Sequence, residues 1–600
     1  MASLYSRIFR RRGVHAARGE ARRIARNHLG FHRLRPGQAE AVEAVVGGHD
    51  TLVVMPTGAG KSAIYQIAAL LLPGPTVVVS PLIALQRDQV AAAGRHGGIP
   101  AAQANSHVGA ARRREALEDF EEGDLELLFL APEQFGDPRL VETLRAARPS
   151  LVVVDEAHCI SSWGHDFRPE YLRIGGVVEA LGHPRVLALT ATAAPPVREE
   201  IIERLGMRDP RVLVREFDRP NLHLGVRWVS DEEAKRSAVV DWVVAAPRPG
   251  LVYTATRRSA EALAARLRAH GVAAAAYHAG MAAGERERAQ QAFMEDRTEV
   301  VVATTAFGMG IDKPDVRFVA HAEVADSPDS YYQEIGRAGR DGRPAEAMLF
   351  YRPQDLGIRR FFAGGGQLDH GDLERVAAYV QLAGRPVRQE ELERATELPG
   401  GRVTAALDRL QDAGAVRLLP SREVAWVDDG PGWAEAAGEA STAQAARRGA
   451  DRSRVEMMRA YAETGDCRRE FLLTYLGEPF EGPCGDCDNC LAGHGATQVR
   501  AAQPFPVGSR VRHPGWGAGQ VLRYDEDRVT VLFDDGAYRT LGVPLVLERG
   551  LLAADRAGEA GSRPSGGSKR ELYERARRLG IAGRSRMTKE ELQRALREHR

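Results

Sequence analysis

The chain has 600 residues, with 82 basic and 81 acidic side chains and a formal net charge of +1 at pH 7. This balance excludes an overall basic field, so any nucleic-acid binding must depend on local patches. The composition is that of a globular protein of about four domains, and no apolar run approaches the roughly 18 residues that a membrane span requires.

The N-terminal stretch, residues 1–29, is rich in arginine and is predicted to be a helix that leads into the first domain. A transit peptide is the alternative, since Arg-rich segments that are poor in acidic residues also serve as targeting signals. We prefer the lead helix because neither an apolar core nor a cleavage signal accompanies the segment.

Two α/β blocks follow, residues 30–215 and 216–355, and each is predicted to form a parallel sheet covered by helices on both faces. Short β-rich runs alternate with helical stretches, the clearest being 51–54, 76–80, 127–130, 151–154, 186–190, 250–253, 300–303 and 318–321. Two stacked lobes leave a cleft between them, where a bridging ligand is expected.

A glycine-rich loop, Met-Pro-Thr-Gly-Ala-Gly-Lys-Ser at 55–62, follows the first β-rich run. Glycines let backbone N–H groups approach phosphates, Lys61 reaches the β- and γ-oxygens, and Ser62 ligates magnesium. Met55 stands where glycine is usual, and a plain strand-to-helix turn is the alternative. The predicted phosphate cradle comprises Thr57, Gly58, Ala59, Gly60, Lys61 and Ser62.

An acidic pair, Asp155 and Glu156, closes a second apolar run. In a nucleotide hydrolase Asp155 holds magnesium, directly or through water, and Glu156 polarises the attacking water. The alternative is a solvated helix cap, which the preceding aliphatic run and the phosphate loop disfavour. Together the two motifs predict hydrolysis of a nucleoside triphosphate, with ATP and Mg²⁺ expected.

Two arginines in the second block, Arg337 and Arg340, are three residues apart and follow Gln333. This spacing predicts one turn of a helix with both side chains in the cleft. An arginine that reaches the γ-phosphate stabilises charge in the transition state and closes the lobes on the triphosphate. A basic surface turn is the alternative.

The C-terminal half has a different periodicity. Residues 367–430 read as three helices and a two-stranded ribbon, a winged-helix pattern. Residues 434–494 are helical, residues 505–550 are short strands of a small barrel, and residues 569–600 form two helices after a flexible Gly- and Ser-rich linker.

Four of the five cysteines have the spacing Cys-x16-Cys-x2-Cys-x2-Cys: Cys467, Cys484, Cys487 and Cys490. Four thiolates predict a closed structural zinc site in a reducing compartment, not disulfides. An iron–sulfur cluster is the main alternative. Cys159 stands apart from the cluster.

These motifs resemble the RecQ branch of superfamily 2 DNA helicases, over about residues 25–355 and the cysteine module. The similar stretches are 35–38 with Phe31, the phosphate loop, 79–90, 155–169, 189–193, 217–221, 306–314 and 333–340. The tract from Cys159 to Pro169, directly after the DEAH box at 155–158, is the most specific.

The resemblance implies roles at the nucleotide. Phe31 and Arg35 would sandwich adenine, and Gln38 would hydrogen-bond its edge. From the second lobe, Gly310 and Asp312 would contact the ribose or magnesium side.

The resemblance also implies a DNA-coupling set. Trp163, Phe167 and Arg168 would form an aromatic-rich loop that senses single-stranded DNA, since aromatic rings stack on bases at roughly 1–3 kcal/mol each. Thr190 and Thr192 would relay between the DNA and ATP sites. A buried Trp/Phe pair is the alternative for the aromatic loop.

The domain order departs from the family, which usually places the winged helix after the zinc module. Here the winged-helix candidate precedes it, so DNA contact and simple packing both stay open. The barrel resembles the Tudor-like barrel of superfamily 1 helicases, which contacts partner proteins, or an SH3-like barrel. Residues 569–600 resemble SAP-like or Rho-N-like modules, or a solvated helical tail.

We therefore expect an α/β protein with two RecA-like lobes, a winged-helix-like α+β segment, a helical zinc module, a small β-barrel and a two-helix module. The expected activity is that of an ATP-dependent DNA helicase, 3′→5′ on single-stranded DNA, in repair and recombination. Single-stranded and forked DNA and a protein bound by the barrel are the expected partners, in the bacterial cytoplasm at the nucleoid. An RNA-remodelling enzyme and a nucleotide-switched DNA scaffold are the alternatives.

Overall fold

The computed structural model describes residues 14–555 except for 82, 95–97, 106–107, 162–166, 308–312, 365–367, 420–422, 428–429, 481, 495–502 and 526. The predicted two-helix module at 569–600 lies outside these residues. Within the described part of the chain, no helix is both long enough and apolar enough to cross a bilayer.

The first lobe is a seven-stranded parallel sheet with the strand order β3-β4-β2-β5-β6-β1-β7. Its central strands are aliphatic and fully buried because helices cover both faces. The strands are β1 Thr51–Val54, β2 Thr76–Val79, β3 Ala101–Gln103, β4 Leu127–Leu130, β5 Leu151–Val154, β6 Arg185–Thr190 and β7 Arg211–Val214. The helices are α1 Val14–Leu29, α2 Gln38–Val46, α3 Lys61–Leu71, α4 Ile83–Ala93, α5 Ala110–Glu122, α6 Pro138–Ala147, α7 Arg173–Ala180 and α8 Pro195–Arg204.

The second lobe is a six-stranded parallel sheet with the order β10-β11-β9-β12-β13-β8. Its strands are β8 Leu222–Trp228, β9 Gly250–Tyr253, β10 Ala274–Tyr277, β11 Val300–Ala303, β12 Phe318–His321 and β13 Ala345–Tyr351. Its helices are α9 Glu232–Ala245, α10 Arg257–Ala269, α11 Ala283–Met294, α12 Pro328–Ile335 and α13 Leu356–Gly364. The two sheets confirm the expected pair of parallel-sheet lobes.

A small α+β segment follows, in which three helices pack on a three-stranded antiparallel sheet of order β14-β16-β15. Its core joins Leu373, Leu392, Val403 and Leu410 to alanines at the start of a long helix, α17. The elements are α14 His370–Ala383, β14 Val387–Arg388, α15 Gln389–Thr396, α16 Gly400–Asp412, β15 Val416–Leu418, β16 Glu423–Trp426 and α17 Trp433–Glu463.

The cysteine region contains two short helices, α18 Arg468–Tyr475 and α19 Asp488–Leu491. A separate compact unit, described over residues 503–525, 527–534 and 539–555, holds most of a five-stranded antiparallel sheet of order β20-β19-β18-β17-β21. Its core is formed by Val511, Val521, Val531 and Phe533. The elements are β17 Arg510–His513, β18 Gly517–Asp525, β19 Arg528–Phe533, β20 Tyr538–Gly542, α20 Val543–Arg549 and β21 Ala553–Ala554.

Candidate functional site

The motifs of the first lobe meet at one edge of its sheet. The strands β5, β6 and β1 are neighbours and run in the same direction, so the residues that follow them lie close together. The phosphate loop follows β1, the acidic pair follows β5, and Thr190 ends β6. The fold therefore assembles the candidate site from three separate stretches of sequence.

The phosphate loop requires glycine at two positions. Gly58 and Gly60 have φ angles of +82° and +77°, in the left-handed region that favours glycine. A Cβ at Gly60 would lie 2.6 Å from Nε2 of Gln38, and a Cβ at Gly58 would lie 3.2 Å from Cγ of Arg340. The loop is thus closely approached by an element of each lobe.

Lys61 begins α3 directly after this loop, and its Nζ donates to the carbonyl oxygen of Met55 at 3.2 Å. Burial lowers the pKa of Lys61, while the charges of Glu156 and Asp155 act in the opposite direction and the charge of Arg340 lowers it further. The ammonium group therefore shares its surroundings with both acids and with an arginine of the second lobe. A polyanion would fit between such cations.

The acidic pair carries an unsatisfied oxygen. Burial raises the pKa of Asp155 to about 7, the charge of Glu156 raises it further, and Lys61 opposes both. Glu156 has a left-handed φ of +47°, and its buried Oε2 makes no hydrogen bond among the described residues but lies 3.4 Å from Nδ1 of His158. Two adjacent carboxyl groups, one with an oxygen that makes no hydrogen bond among the described residues, suit a divalent cation and its bound water, so these residues fit magnesium.

A chain of hydrogen bonds links the acidic box to the second lobe. The hydroxyl of Thr190 donates to the carbonyl oxygen of Thr192 at 2.9 Å, so the Nδ1–H of buried His158 donates to Thr190 Oγ1, also at 2.9 Å. Nε2 of Gln333, on α12, donates to Oγ1 of Thr192 at 3.1 Å. The predicted relay threonines therefore lie between His158 and the second lobe.

The two arginines of the second lobe do not occupy one helical turn, contrary to the prediction. α12 ends at Ile335, and Arg337 and Arg340 lie in the turns that follow, where Gly339 has a φ of +60°. Arg340 lies against Gly58 of the phosphate loop. Arg337 is buried within its own lobe, where it counteracts the burial that raises the pKa of Tyr253 to about 12.

The predicted adenine-binding residues differ in their exposure to solvent. Phe31 and Arg35 are exposed, and Phe31 lines a cavity of about 380 Å³ with Arg22 and Arg26 of α1. Gln38 instead faces the phosphate loop, since its Nε2 donates to the carbonyl oxygen of Gly60 at 2.8 Å and its Oε1 accepts from the backbone N–H of Arg35 at 2.8 Å. Gln38 therefore links Arg35 of the predicted adenine-binding element to the phosphate loop.

The aromatic tract is described only at its end. Phe167 and Arg168 are half-buried, and Nη1 of Arg168 donates to the carbonyl oxygen of Pro81 at 3.3 Å. The guanidinium carbon of Arg447, on α17, lies 4.1 Å from the centre of the Phe167 ring. The other candidates Trp163, Gly310 and Asp312 lie outside the described residues.

The four clustered cysteines form a metal-sized site. Their Sγ atoms all lie within 4.8 Å of one another, and those of Cys484 and Cys490 are 3.8 Å apart. Zn–S bonds of about 2.3 Å in a tetrahedron place sulfurs about 3.8 Å apart, so the set fits zinc. Cys159 is buried in the first lobe, outside this cluster.

The cysteine region is anchored on the start of the second lobe. Asp488 accepts from the backbone N–H of Val226 at 2.8 Å and pairs with Arg468 at 2.5 Å. Arg469 donates to the carbonyl oxygen of Leu222 at 3.0 Å. Sequence reasoning did not assign these contacts, because no local pattern shows which strand a polar side chain will reach.

Family models match most of the chain. Residues 35–201 match the DEAD/DEAH box helicase family, residues 234–342 the helicase conserved C-terminal domain, and residues 430–491 the RecQ zinc-binding family. These matches cover both parallel-sheet lobes and the cysteine region.

Curated relatives are similar to the chain over longer stretches of sequence. The chain is 36% identical over 470 residues to the ATP-dependent DNA helicase RecQ of Haemophilus influenzae, covering 78% of this chain and 63% of that one. It is 35% identical over 486 residues to the ATP-dependent DNA helicase RecQ of Bacillus subtilis, covering 80% and 68%. The probable ATP-dependent DNA helicase RecS of Bacillus subtilis is 36% identical over 364 residues, 60% of this chain and 72% of that one.

The phosphate loop, the acidic pair and the four-cysteine site therefore lie within matched families. The identity to the Bacillus subtilis RecQ extends over two thirds of that relative, and the cysteine region matches the RecQ zinc-binding family itself. The chain belongs to the RecQ family of helicases.

Proposed function

We propose that the chain is an ATP-dependent DNA helicase that translocates 3′→5′ along single-stranded DNA and unwinds duplex DNA. One observation supports this most strongly: side chains of the second lobe reach the phosphate loop and Thr192 of the first lobe. Arg340 lies against Gly58 of the phosphate loop, and Gln333 bonds Thr192 across the cleft. A nucleotide held there contacts both lobes, so its hydrolysis can change their separation.

The residues of the first lobe bind the nucleotide and activate the attacking water. The loop residues Thr57 to Ser62 would enclose the phosphates, with Lys61 at the β- and γ-oxygens, and Ser62 and Asp155 would hold magnesium. Magnesium, when bound, neutralises charge on the phosphates. Glu156 takes a proton from the attacking water, a role that suits a carboxylate with an oxygen that makes no hydrogen bond among the described residues.

The residues of the second lobe respond to the triphosphate. Arg340 stabilises charge at the γ-phosphate, and Arg337 supports it from a buried position beside Tyr253. The bonds from His158 through Thr190 and Thr192 to Gln333 transmit the state of the acidic box to this lobe.

The remaining family-implied roles complete the proposal. Phe31, Arg35 and Gln38 bind adenine, and Gly310 and Asp312 contact the ribose or magnesium side. Trp163, Phe167 and Arg168 couple DNA to turnover. The cysteines hold a structural zinc ion, and the barrel binds a protein partner.

For the cellular setting we propose DNA repair and recombination at the nucleoid of the bacterial cytoplasm, as the resemblance to the family implies. The bacterial relatives are named as ATP-dependent DNA helicases, which supports action on DNA.

Two assays test this function. The first compares ATP turnover with single-stranded DNA and with RNA of the same sequence, and DNA is expected to stimulate far more. The second compares labelled duplexes with a 3′ or a 5′ single-stranded tail, of which only the 3′-tailed one should be unwound. Stronger stimulation by RNA favours an RNA-remodelling enzyme, and ATP-dependent DNA binding without unwinding favours a nucleotide-switched scaffold.

A further inference from the structure

The ring of Phe167 is already occupied in this structure. Arg447 of α17 stacks on it, with the guanidinium carbon 4.1 Å from the ring centre. The two residues belong to different parts of the fold, since Phe167 lies between β5 and α7 of the first lobe whereas α17 follows the small α+β segment. This contact joins that segment to the proposed DNA-coupling loop.

The surroundings of Arg447 explain why its guanidinium group lies against an aromatic ring. Burial lowers the pKa of Arg447, and the nearby carboxylates of Asp451 and Asp412 oppose that shift. Within the described residues, however, Arg447 takes part in no ion pair, whereas Arg454 of the same helix pairs with Asp451 at 2.9 Å. The stack on Phe167 is therefore the main specific contact of this guanidinium group.

The interface around this stack is charged and only partly buried. Burial raises the pKa of Asp412, on α16, to about 6, with Arg447 and Arg204 acting in the opposite direction. Burial and then the charge of Glu170, in the first lobe, likewise raise the pKa of Asp408 on the same helix. Among the described residues these two aspartates form no ion pair, and because half-buried charges lose solvation, their return to water offsets part of the cost of opening the interface.

We propose that Arg447 is a positioning residue that holds Phe167 in a DNA-free arrangement until a nucleic-acid base displaces it. The inference rests on the proposed helicase function. A guanidinium group and a base both bind an aromatic ring through its face, and the two interactions are of comparable strength. The α+β segment thus restrains DNA-coupled turnover through α17.

The test uses the full chain with Arg447→Ala and, as a matched control, Arg448→Ala. Both substitutions remove one charge from α17, but only the first removes the stack on Phe167. We expect Arg447→Ala to raise the DNA-independent ATP turnover about 2- to 30-fold, the range that the lost stack corresponds to, and so to reduce the stimulation by DNA. Arg448→Ala should leave both quantities near wild type.

A double-mutant cycle shows whether the effect passes through the ring. In a Phe167→Leu background, Arg447→Ala should no longer change the DNA-independent turnover. Hydrogen exchange of peptides that contain Phe167, measured without DNA or nucleotide, should be faster in Arg447→Ala than in wild type. Arg447→Lys, which keeps the cation, should lie between the two and serves if the alanine variant does not fold.

The outcomes separate this inference from the proposed function. A wild-type chain without DNA-stimulated turnover would overturn both. If DNA stimulates the wild type but Arg447→Ala behaves as wild type in turnover and exchange, this inference alone is wrong. If Arg447→Ala weakens DNA binding and lowers the slope of log K against log[salt] by about one, Arg447 is a phosphate contact instead.

Discussion

Replacing Glu156 with glutamine should separate proton transfer from nucleotide binding. The amide has nearly the shape of the carboxylate, so it can occupy the same left-handed position after β5, but it cannot accept a proton from water. A positioned acid–base group accelerates reactions by about 10²- to 10⁴-fold. The turnover number should fall by that factor, which corresponds to about 3–5 kcal/mol in the activation barrier.

Binding of ATP with magnesium should survive the same substitution. The charge of Glu156 raises the pKa of Asp155, so its loss leaves Asp155 more readily ionised and better able to hold magnesium. Oε2 of Glu156 makes no hydrogen bond among the described residues and lies 3.4 Å from Nδ1 of His158, so its replacement by an amide oxygen should change the melting temperature little. Steady-state turnover with saturating DNA and titration with a fluorescent ATP analogue measure the two effects.

Glu126→Gln is the matched control. Glu126 directly precedes β4, so it lies at the edge of the first sheet opposite to the phosphate loop, and the same chemical change there should leave turnover intact. The reasoning is refuted if Glu156→Gln retains turnover near wild type, or if it loses ATP binding together with turnover.

Three further outcomes are expected. Cys484→Ser should lower both the zinc content, by elemental analysis, and the melting temperature, because zinc binding contributes folding free energy. Gln333→Ala should reduce DNA-stimulated turnover about 2- to 13-fold, as one neutral hydrogen bond to Thr192 is lost, with ATP binding unchanged in the same titration. Burial raises the pKa of Glu126 from 4.5 to about 7, so the folded chain holds the proton of this carboxyl more tightly than the unfolded chain does. The stability that the protonated carboxyl contributes is therefore lost as pH rises through about 7. The melting temperatures of Glu126→Gln at pH 5 and at pH 8 should differ less than those of wild type.

The strands and the motif loops could be predicted from the sequence because they depend on local patterns. The runs that became β1 and β5 are entirely aliphatic or β-branched, which marks strands buried on both faces. The phosphate loop and the acidic pair are short motifs at the ends of those strands, so their meeting at one sheet edge followed from parallel topology.

The placement of the two arginines could not be predicted in the same way. Their spacing of three matches a helical turn, but α12 stops at Ile335 and Gly339 adopts a left-handed backbone. Two glycines within four residues, Gly336 and Gly339, were the available signal that the helix would end.

Contacts between distant parts of the chain could not be predicted from local sequence patterns. The stack of Arg447 on Phe167 depends on how α17 packs against the first lobe, and the bond from Asp488 to Val226 depends on how the cysteine region meets β8. Periodicity shows which face of a helix is apolar, but it does not show which neighbour that face will meet.

The most direct test of the account is strand separation of a labelled duplex with a 3′ single-stranded tail, by wild type and by Glu156→Gln. With the ATP pocket that we propose between the two lobes, the strands should separate only when ATP is hydrolysed. Wild type should therefore release the labelled strand with ATP and magnesium, and Glu156→Gln should not. Rapid DNA-stimulated hydrolysis without strand release would contradict the central claim.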